Sequence, residues 1–428
     1  MFAMTLAMVG YLVMWRGDPG EMETWSTEET AGHIHAVSGS PPTIAILPFE
    51  VLGNDSGQRY LADGLTADIT ADLSRFSGLT VIGVWSTGTG APSERPPLSA
   101  AAYRVWGGVQ RNADRIYIHV VLIETATSEQ RWSKRYDRPF SELLAVREEI
   151  SRTLAEVLAV DTTMEEKRRL ERRPTKSPAA YDLFLRAQAN LLLRGETENR
   201  NARGLYRQAI DLDPAFARAY GGLALTYAAD YRNRWTNDVE AALEQARLTA
   251  NQAARLDPDL PEVLWVLGYV YVQERRHDKA LSFIDRAIAL DPSFADGYAL
   301  KASLKTHAGA PEEAIPLLHR AMRLNPSSGY LYSLVLGRAY FFLGHTERAI
   351  ANLREAIARN PTALQPHLFM AAAAIQAGEV DIAEWESMEI LNLSPGFSLE
   401  AWLETYPMTD PHQREMLASS LAQIGLTR

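Results

Sequence analysis

Ala280 to Pro292 reads ALSFIDRAIALDP, Ala314 to Pro326 reads AIPLLHRAMRLNP, and Ala349 to Pro361 reads AIANLREAIARNP. The three stretches share one register: an alanine first, a second alanine at Ala287, Ala321 or Ala356, and a closing Asp-Pro or Asn-Pro pair. The register extends outward to Ala202, Ala209 and Pro214, to Ala246, Ala253 and Pro258, and to Ala383 and Pro395, where Ile390 replaces the second alanine. The six prolines lie 44, 34, 34, 35 and 34 residues apart. Before them stand Asp213, Asp257, Asp291, Asn325, Asn360 and Ser394. A capping side chain accepts from an orphan amide and proline suits the first helical turn, so each pair is expected to start a helix, as is Ser177-Pro178. Small residues at fixed places let two antiparallel helices approach closely. Gly309, Gly344 and Gly378 mark the turns within three of the units.

A period of this length is the mark of a solenoid. With Leu267-Gly268 and Tyr271, and Leu336-Gly337 and Tyr340, the pattern resembles the tetratricopeptide repeat over most of Ser177 to Ser394. The interval of 44 departs from it, and Asp230 to Asp238 is expected to extend one helix pair or its turn. The unit before Ala202 is also irregular. After Pro395 the pattern decays, and Asp410-Pro411 starts a last helix that caps the array. The resemblance implies a curved array whose first helices line a concave groove. Trp265, Tyr269, Leu334, Arg338, Phe341 and Phe342 would face that groove and suit a protein or peptide ligand, or else pack between neighbouring repeats. Few Lys or Arg occupy the positions of the familiar basic clamp for a carboxylate terminus, which argues against a chaperone-tail receptor.

The region before the repeats reads differently. Thr43 to Phe49, TIAILPF, is a strand, and Asn54 to Gly57 a turn. Leu61, Leu65, Ile69, Leu73 and Phe76 give one apolar helical face. Thr80 to Trp85 is a second strand. Tyr103 to Gln110 and Arg115 to Ile123 form a hairpin about Asn112-Ala113-Asp114. In the hairpin Ile116, Ile118, Val120 and Leu122 face one side, and Tyr117, His119 and Val121 the other. Gln130 to Tyr136 is a further strand, and Phe140, Leu143, Leu144, Ile150, Leu154 and Val157 a closing helix. This alternation predicts a small α/β domain with a mixed sheet. The runs TIAILPF, YLADGLTADITADLSRFSGLTVI, GGVQRNADRIYIHVVLIETAT and RWSKRYDR are together similar to the TolB-like amino-terminal domain. Ser86 to Ala102 departs from it, being rich in Gly, Pro and Ser where that family has a helix. Membrane helix, TolB-like domain and repeats, in that order, make up the carboxy-terminal half of many membrane-bound class III adenylate cyclases.

At 428 residues, 46% hydrophobic and 22% charged, the chain is globular and of more than one domain. A net charge of −10 without a long basic run excludes nucleic acid as a partner. The absence of cysteine removes disulfides, zinc–thiolate sites and thiol nucleophiles. Phe2 to Trp15 is apolar but short for a span of roughly 20 residues, and no basic region precedes it. It reads as a membrane anchor or the end of a longer membrane helix. Glu21 to Pro42 reads as a linker, in which His33 and His35 are assigned no metal. Gly88-Thr89-Gly90 lacks the rest of a nucleotide-binding motif, and no His-Glu-x-x-His or Gly-x-Ser-x-Gly run occurs. Asp63-Gly64 is expected to start a helix. No catalytic residue, metal or cofactor is assigned.

The expected organisation is an anchor over 1–16, a linker over 17–42, the α/β domain over 43–160, a linker helix over 161–176, about six repeats over 177–395, and capping helices over 396–428. The fold class is a small mixed-sheet α/β domain followed by an all-α superhelix. The expected function is a non-catalytic, membrane-tethered interaction or sensor module in bacterial signalling or the envelope. It would be a single-pass inner-membrane protein with its soluble part in the periplasm. The alternatives are the regulatory half of an adenylate cyclase, or a cytoplasmic scaffold.

Overall fold

The computed structural model describes residues 41–426 apart from 54, 84–100, 161–162, 165, 167–169, 172 and 327. The apolar run Phe2 to Trp15, the linker histidines, most of the Gly/Pro/Ser-rich stretch and part of the expected linker helix lie outside the described residues.

The first part is a mixed sheet carrying helices. Strand β1 (Thr43–Ile46) runs parallel to both β3 (Thr80–Gly83) and β4 (Tyr103–Asn112), and the short β2 (Glu50–Val51) also pairs with β4 in parallel. Strands β4, β5 (Arg115–Glu124) and β6 (Gln130–Pro139) form an antiparallel ladder, giving the order β3-β1-β4-β5-β6. The apolar alternation of β5 is realised as read. Ile116, Ile118, Val120 and Leu122 are buried with residues of α1 (Arg59–Ser74) and α2 (Leu143–Val157), while Tyr117 and His119 are half-buried on the other face. His119 Nε2 lies 2.9 Å from Ser133 Oγ on the neighbouring strand, a strand residue's role. Asp63-Gly64 does not start a helix. It lies inside α1, where Asp63 pairs with Arg59 and a Cβ on Gly64 would come within 2.6 Å of Leu185 Cδ2.

Among the described residues the helices that follow form six antiparallel pairs. These are α3 (Pro178–Leu192) with α4 (Glu196–Leu212), α5 (Ala217–Asn233) with α6 (Val239–Leu256), and α7 (Pro261–Gln273) with α8 (His277–Leu290). Next come α9 (Ala295–His307) with α10 (Pro311–Leu324), α11 (Tyr330–Phe342) with α12 (Thr346–Arg359), and α13 (Leu364–Ala377) with α14 (Val380–Leu393). The register alanines all lie at the pair interfaces, fully buried. A Cβ on Gly268 would come within 2.6 Å of Ile284, and one on Gly337 within 2.7 Å of Leu353. The long interval is taken up by α5 and α6, of 17 and 18 residues against 13 and 14 for α7 and α8.

The Asp-Pro and Asn-Pro pairs have a different place from the expected one. They end the second helix of each pair rather than open the next. Asp213, Asp257, Asp291, Asn325, Asn360 and Ser394 are C-caps, and the following helix begins several residues later, at Ala217 after Pro214 for example. The side-chain oxygen accepts from the amide two residues on, as in Ala215 N to Asp213 Oδ1 (3.0 Å) and Ser293 N to Asp291 Oδ1 (3.0 Å). This is an Asx turn, with proline stiffening the exit. Only Ser177-Pro178 and Asp410-Pro411 open helices in the way expected.

One apolar core runs from the sheet into the first repeats, joining Leu61, Leu65 and Leu144 to Tyr181, Phe184 and Phe216. A charged network lies within it. Asp68 Oδ1 accepts from Arg218 Nη2 of α5 (2.7 Å), and its Oδ2 accepts from Arg147 Nη1 of α2 (3.2 Å) and from the Tyr181 hydroxyl of α3. Burial alone would raise the Asp68 carboxyl, but the Arg218 and Arg147 guanidiniums overcome it and hold it well below the usual carboxylate range. At the end of α1, Ser74 donates to Asp291 Oδ2 (2.7 Å) and Arg75 pairs with Glu262 (3.1 Å). Removing one member of such a network strands the others. Arg218→Ala is expected to cost about 3–5 kcal/mol, read by chemical denaturation of the full chain.

Asp291 supplies a pH signature. Burial raises its carboxyl to about 6, against the Ser74 hydrogen bond and the Arg75 charge. For an acid whose folded pKa exceeds its unfolded one, the folded state takes up the extra proton, so stability rises as pH falls through 6 towards 4. Asp291→Asn removes this dependence. The variant is expected to be more stable than the parent at pH 7.5, by on the order of 2 kcal/mol, with the gap narrowing as pH falls below 6 and closing near pH 4. Denaturation midpoints across that range are the measurement.

Candidate functional site

The two helices of each pair bury different amounts of surface. The second helices bury a narrow stripe, as α12 does with Ala349, Ile350, Leu353 and Ala356. The first helices of the later pairs bury more, and two of them are buried almost all round. In α11 every residue from Tyr332 to Phe342 is buried, and in α13 every residue from Pro366 to Ala374. Something therefore covers the inner face of the first helices as well as the outer one.

That cover is the chain's own carboxy-terminal segment. Helix α15 (Leu399–Thr405) leads into an extended stretch to Thr409, and Asp410 then caps α16 (Pro411–Ala422) through Gln413 N (2.8 Å). The strap from Leu399 to Asp410 crosses the inner ends of α5, α7 and α9. Arg275 Nη2 donates to the carbonyls of Leu403 (3.3 Å), Glu404 (2.6 Å) and Tyr406 (3.0 Å). Arg234 Nη1 donates to the Ala401 carbonyl (3.3 Å) and pairs with Glu404 (3.1 Å). His277 Nε2 lies 3.2 Å from the Pro407 carbonyl, and Thr409 N donates to the His307 carbonyl (3.0 Å). Arg234 and Arg275 hold left-handed turn positions, at φ +56° and +58°, corresponding to those that glycine holds in later pairs.

The strap's side chains fill the groove. Trp402 stacks on Tyr406 with centroids 4.1 Å apart, and Tyr406, fully buried, sets its ring against those of His307 and Phe369. Arg338 Nη1 donates to the Tyr406 hydroxyl (2.6 Å) and Nη2 to Ser303 Oγ (2.8 Å). The Arg232 guanidinium lies 4.8 Å from the Trp402 ring centre and 4.5 Å from that of Tyr406, within cation–π range. Burial lowers Arg232 to about 10, opposed by the nearby tyrosines. Burial also lowers His307, and Arg338, His277 and Arg232 add to it, so this histidine is neutral.

The residues singled out from sequence fall into two sets. Leu334, Phe341 and Phe342 are buried in the same cluster as Trp402, Leu403, Tyr406 and Met408, and Arg338 is buried beside them against the Tyr406 hydroxyl. Trp265 and Tyr269 stack on each other at 5.7 Å and are half-buried beyond the strap, with Trp265 Nε1 donating to the Asp296 carbonyl (3.0 Å). Near them Arg194 lies over the Tyr330 ring (5.7 Å). The sequence reading did not single out Arg232, Arg275, His277, His307, Trp402 or Tyr406. One signal was available: arginine at turn positions where other repeats carry glycine. Among the described residues no group of His, Asp and Glu is placed to hold a metal, and no helix is long and apolar enough to cross a membrane.

Comparison with known proteins agrees with the repeat reading. Tetratricopeptide repeat family models match residues 237–295, 267–329 and 332–362. A Rhizobium meliloti (strain 1021) protein named "Putative adenylate cyclase 3" is 31% identical over 275 residues, covering 61% of this chain and 47% of that protein. The chain thus spans about half the length of that curated relative. Among solved structures, Pseudomonas aeruginosa pilF is similar at 18% identity and a TM-score of 0.37, over 53% of this chain and 96% of that one. A thermophilic TPR protein of Thermus thermophilus is similar at 20% identity and a TM-score of 0.36, over 46% and 99%. The chain is a small mixed-sheet domain followed by a tetratricopeptide solenoid, a protein-interaction module.

Since Phe341 is fully buried and touches the rings of Phe342 and Phe369, it is a structural residue as much as a groove residue. Phe341→Ala is expected to destabilise the chain by about 3–5 kcal/mol, read as a lower denaturation midpoint, so it does not separate binding from folding.

Proposed function

We propose that this chain captures a short segment of a partner protein in the repeat groove and does so beside a bacterial membrane as part of a signalling assembly. The observation that carries the reading is the strap itself. The groove holds the main chain where α15 ends, by hydrogen bonds from Arg275 to the carbonyls of Leu403, Glu404 and Tyr406, and takes the two aromatic side chains Trp402 and Tyr406. Main-chain capture plus side-chain pockets is a general mode of peptide recognition. Trp265 and Tyr269, half-buried, are the part of the groove left for a ligand while the strap is in place.

The membrane part of the proposal rests on the apolar run Phe2 to Trp15 and on the resemblance of the first domain to TolB-like domains, which sit between a membrane helix and repeats. Together they favour a single-pass inner-membrane protein with its soluble part in the periplasm. A second reading is favoured by the relative from Rhizobium meliloti. At 31% identity and about half its length, the chain would then be the non-catalytic, regulatory half of an adenylate cyclase.

A photoreactive phenylalanine analogue in place of Trp265 or Tyr269, in the full chain within bacterial cells, tests the groove reading. A partner peptide is expected in adducts from both positions and not from a probe at Arg354 on the exposed side of α12. Adducts from Arg354 alone overturn it. Cell fractionation of the same strain tests the membrane location, and a chain recovered wholly in the soluble fraction overturns that part.

A further inference from the structure

The buried arginines of this chain are treated in two opposite ways. At the sheet–repeat junction, Arg147 and Arg218 each meet the Asp68 carboxylate. Beneath the strap, Arg232 and Arg338 are equally buried, at 6% and 2% exposure, yet neither has a carboxylate within 4.0 Å among the described residues. Arg232 Nη2 and Arg338 Nε have no hydrogen-bond partner, nor has Nδ1 of the buried His307, whose ring also meets that of Tyr406. Two guanidiniums taken out of water are left with ring faces, one phenol and one serine hydroxyl. Buried cations are ordinarily matched by an anion, and a site that lacks one is incomplete.

We infer that the Arg232–Arg338 floor of the groove is a binding site for an acidic, aromatic-bearing segment of a partner protein that ends a short helical turn there, and that the strap is its displaceable internal stand-in. The inference rests on the groove reading above and names its ligand. Charge complementarity selects the occupant. The strap has the right shape but places its own charges badly: Glu404 reaches only Arg234 at the rim, Glu400 is exposed, and Asp410 is spent as the cap of α16. None meets the buried guanidiniums. A carboxylate carried where the Tyr406 hydroxyl now sits would accept from Arg338 as an ion pair, a stronger contact than a neutral phenol makes. The anchors that hold the strap do not depend on its sequence. Arg275 grips the main-chain carbonyls of Leu403, Glu404 and Tyr406 where α15 ends, and any segment that ends a helical turn there offers the same carbonyls, so an incoming chain can inherit that grip. The strap and an acidic ligand therefore compete for the same main-chain donors, and the ligand alone satisfies the charges below them.

The test uses the full chain with its strap weakened in two ways, Trp402→Ala and, separately, Arg234→Ala, whose side chain lies at the surface. Folding of each is verified by circular dichroism and thermal melting. The probes are three labelled synthetic peptides with the sequence SLEAWLETYPMTD of Ser398 to Asp410. They carry tyrosine, phenylalanine or 4-carboxyphenylalanine at the position of Tyr406. The carboxylated peptide is expected to bind at least about ten-fold tighter than the phenylalanine one, as read by fluorescence polarisation. Arg338→Met in the same background is expected to abolish that advantage while leaving the phenylalanine peptide bound. Equal binding of the charged and neutral peptides overturns the acidic site and leaves the groove reading standing. So does an advantage that survives Arg338→Met. If none of the peptides binds either folded strap variant, the groove reading falls and this inference with it.

Discussion

The whole solenoid depends on how closely two helices can approach. The register alanines sit where the members of a pair cross, and each is wholly excluded from solvent. A larger side chain there would force the pair apart. Every pair hands its orientation to the next, so a change in one spacing alters the curvature of all that follow. Gly268 and Gly337 mark close approaches within two of the pairs, where Ile284 and Leu353 occupy the space a Cβ would need. The concave face, and so the depth of the groove, follows from these small residues more than from the large ones lining it.

Against that backbone of apolar contacts the chain uses charge for two purposes. The Asp68 network fixes the small domain to the repeats. It brings an acid from α1 to bases from α2 and α5 and a phenol from α3, so that the sheet cannot rotate on the solenoid without stranding an ion. Ser74 with Asp291 and Arg75 with Glu262 extend the seam to later repeats. At the opposite side, positive charge is gathered without its counterpart. Arg232 and Arg338 are held in place by aromatic rings that belong to the strap.

Much of the architecture was legible because it is periodic. The alanine register located the helix pairs, the glycines located three of the turns, and the alternation in β5 located the buried side of the sheet. The cap-and-proline pairs were found in the right places but given the wrong end of the helix. Asp and Pro are favoured both at helix starts and in the Asx turns that follow helix ends, and local sequence does not separate the two. The groove was read in part. Arg338, Phe341 and Phe342 could be assigned by their register on α11, but what covers them could not. The strap has no period, and its partners Arg232, Arg275 and His307 lie roughly 100 to 170 residues away along the chain.

The strap has a mechanical consequence for the solenoid as a whole. In an ordinary array each repeat touches only its neighbours, so it can lengthen, twist or melt by increments. Here Arg232, Arg275, His307, Arg338 and Phe369, from five successive pairs, all meet one short peptide, and Arg194 of the first pair reaches Tyr330 of the fifth. These links run across the arc, as a chord does. With the chord in place the spring is locked at one pitch, and its pairs yield together instead of one by one. With the chord lifted, the same helices regain the elasticity of a free coil.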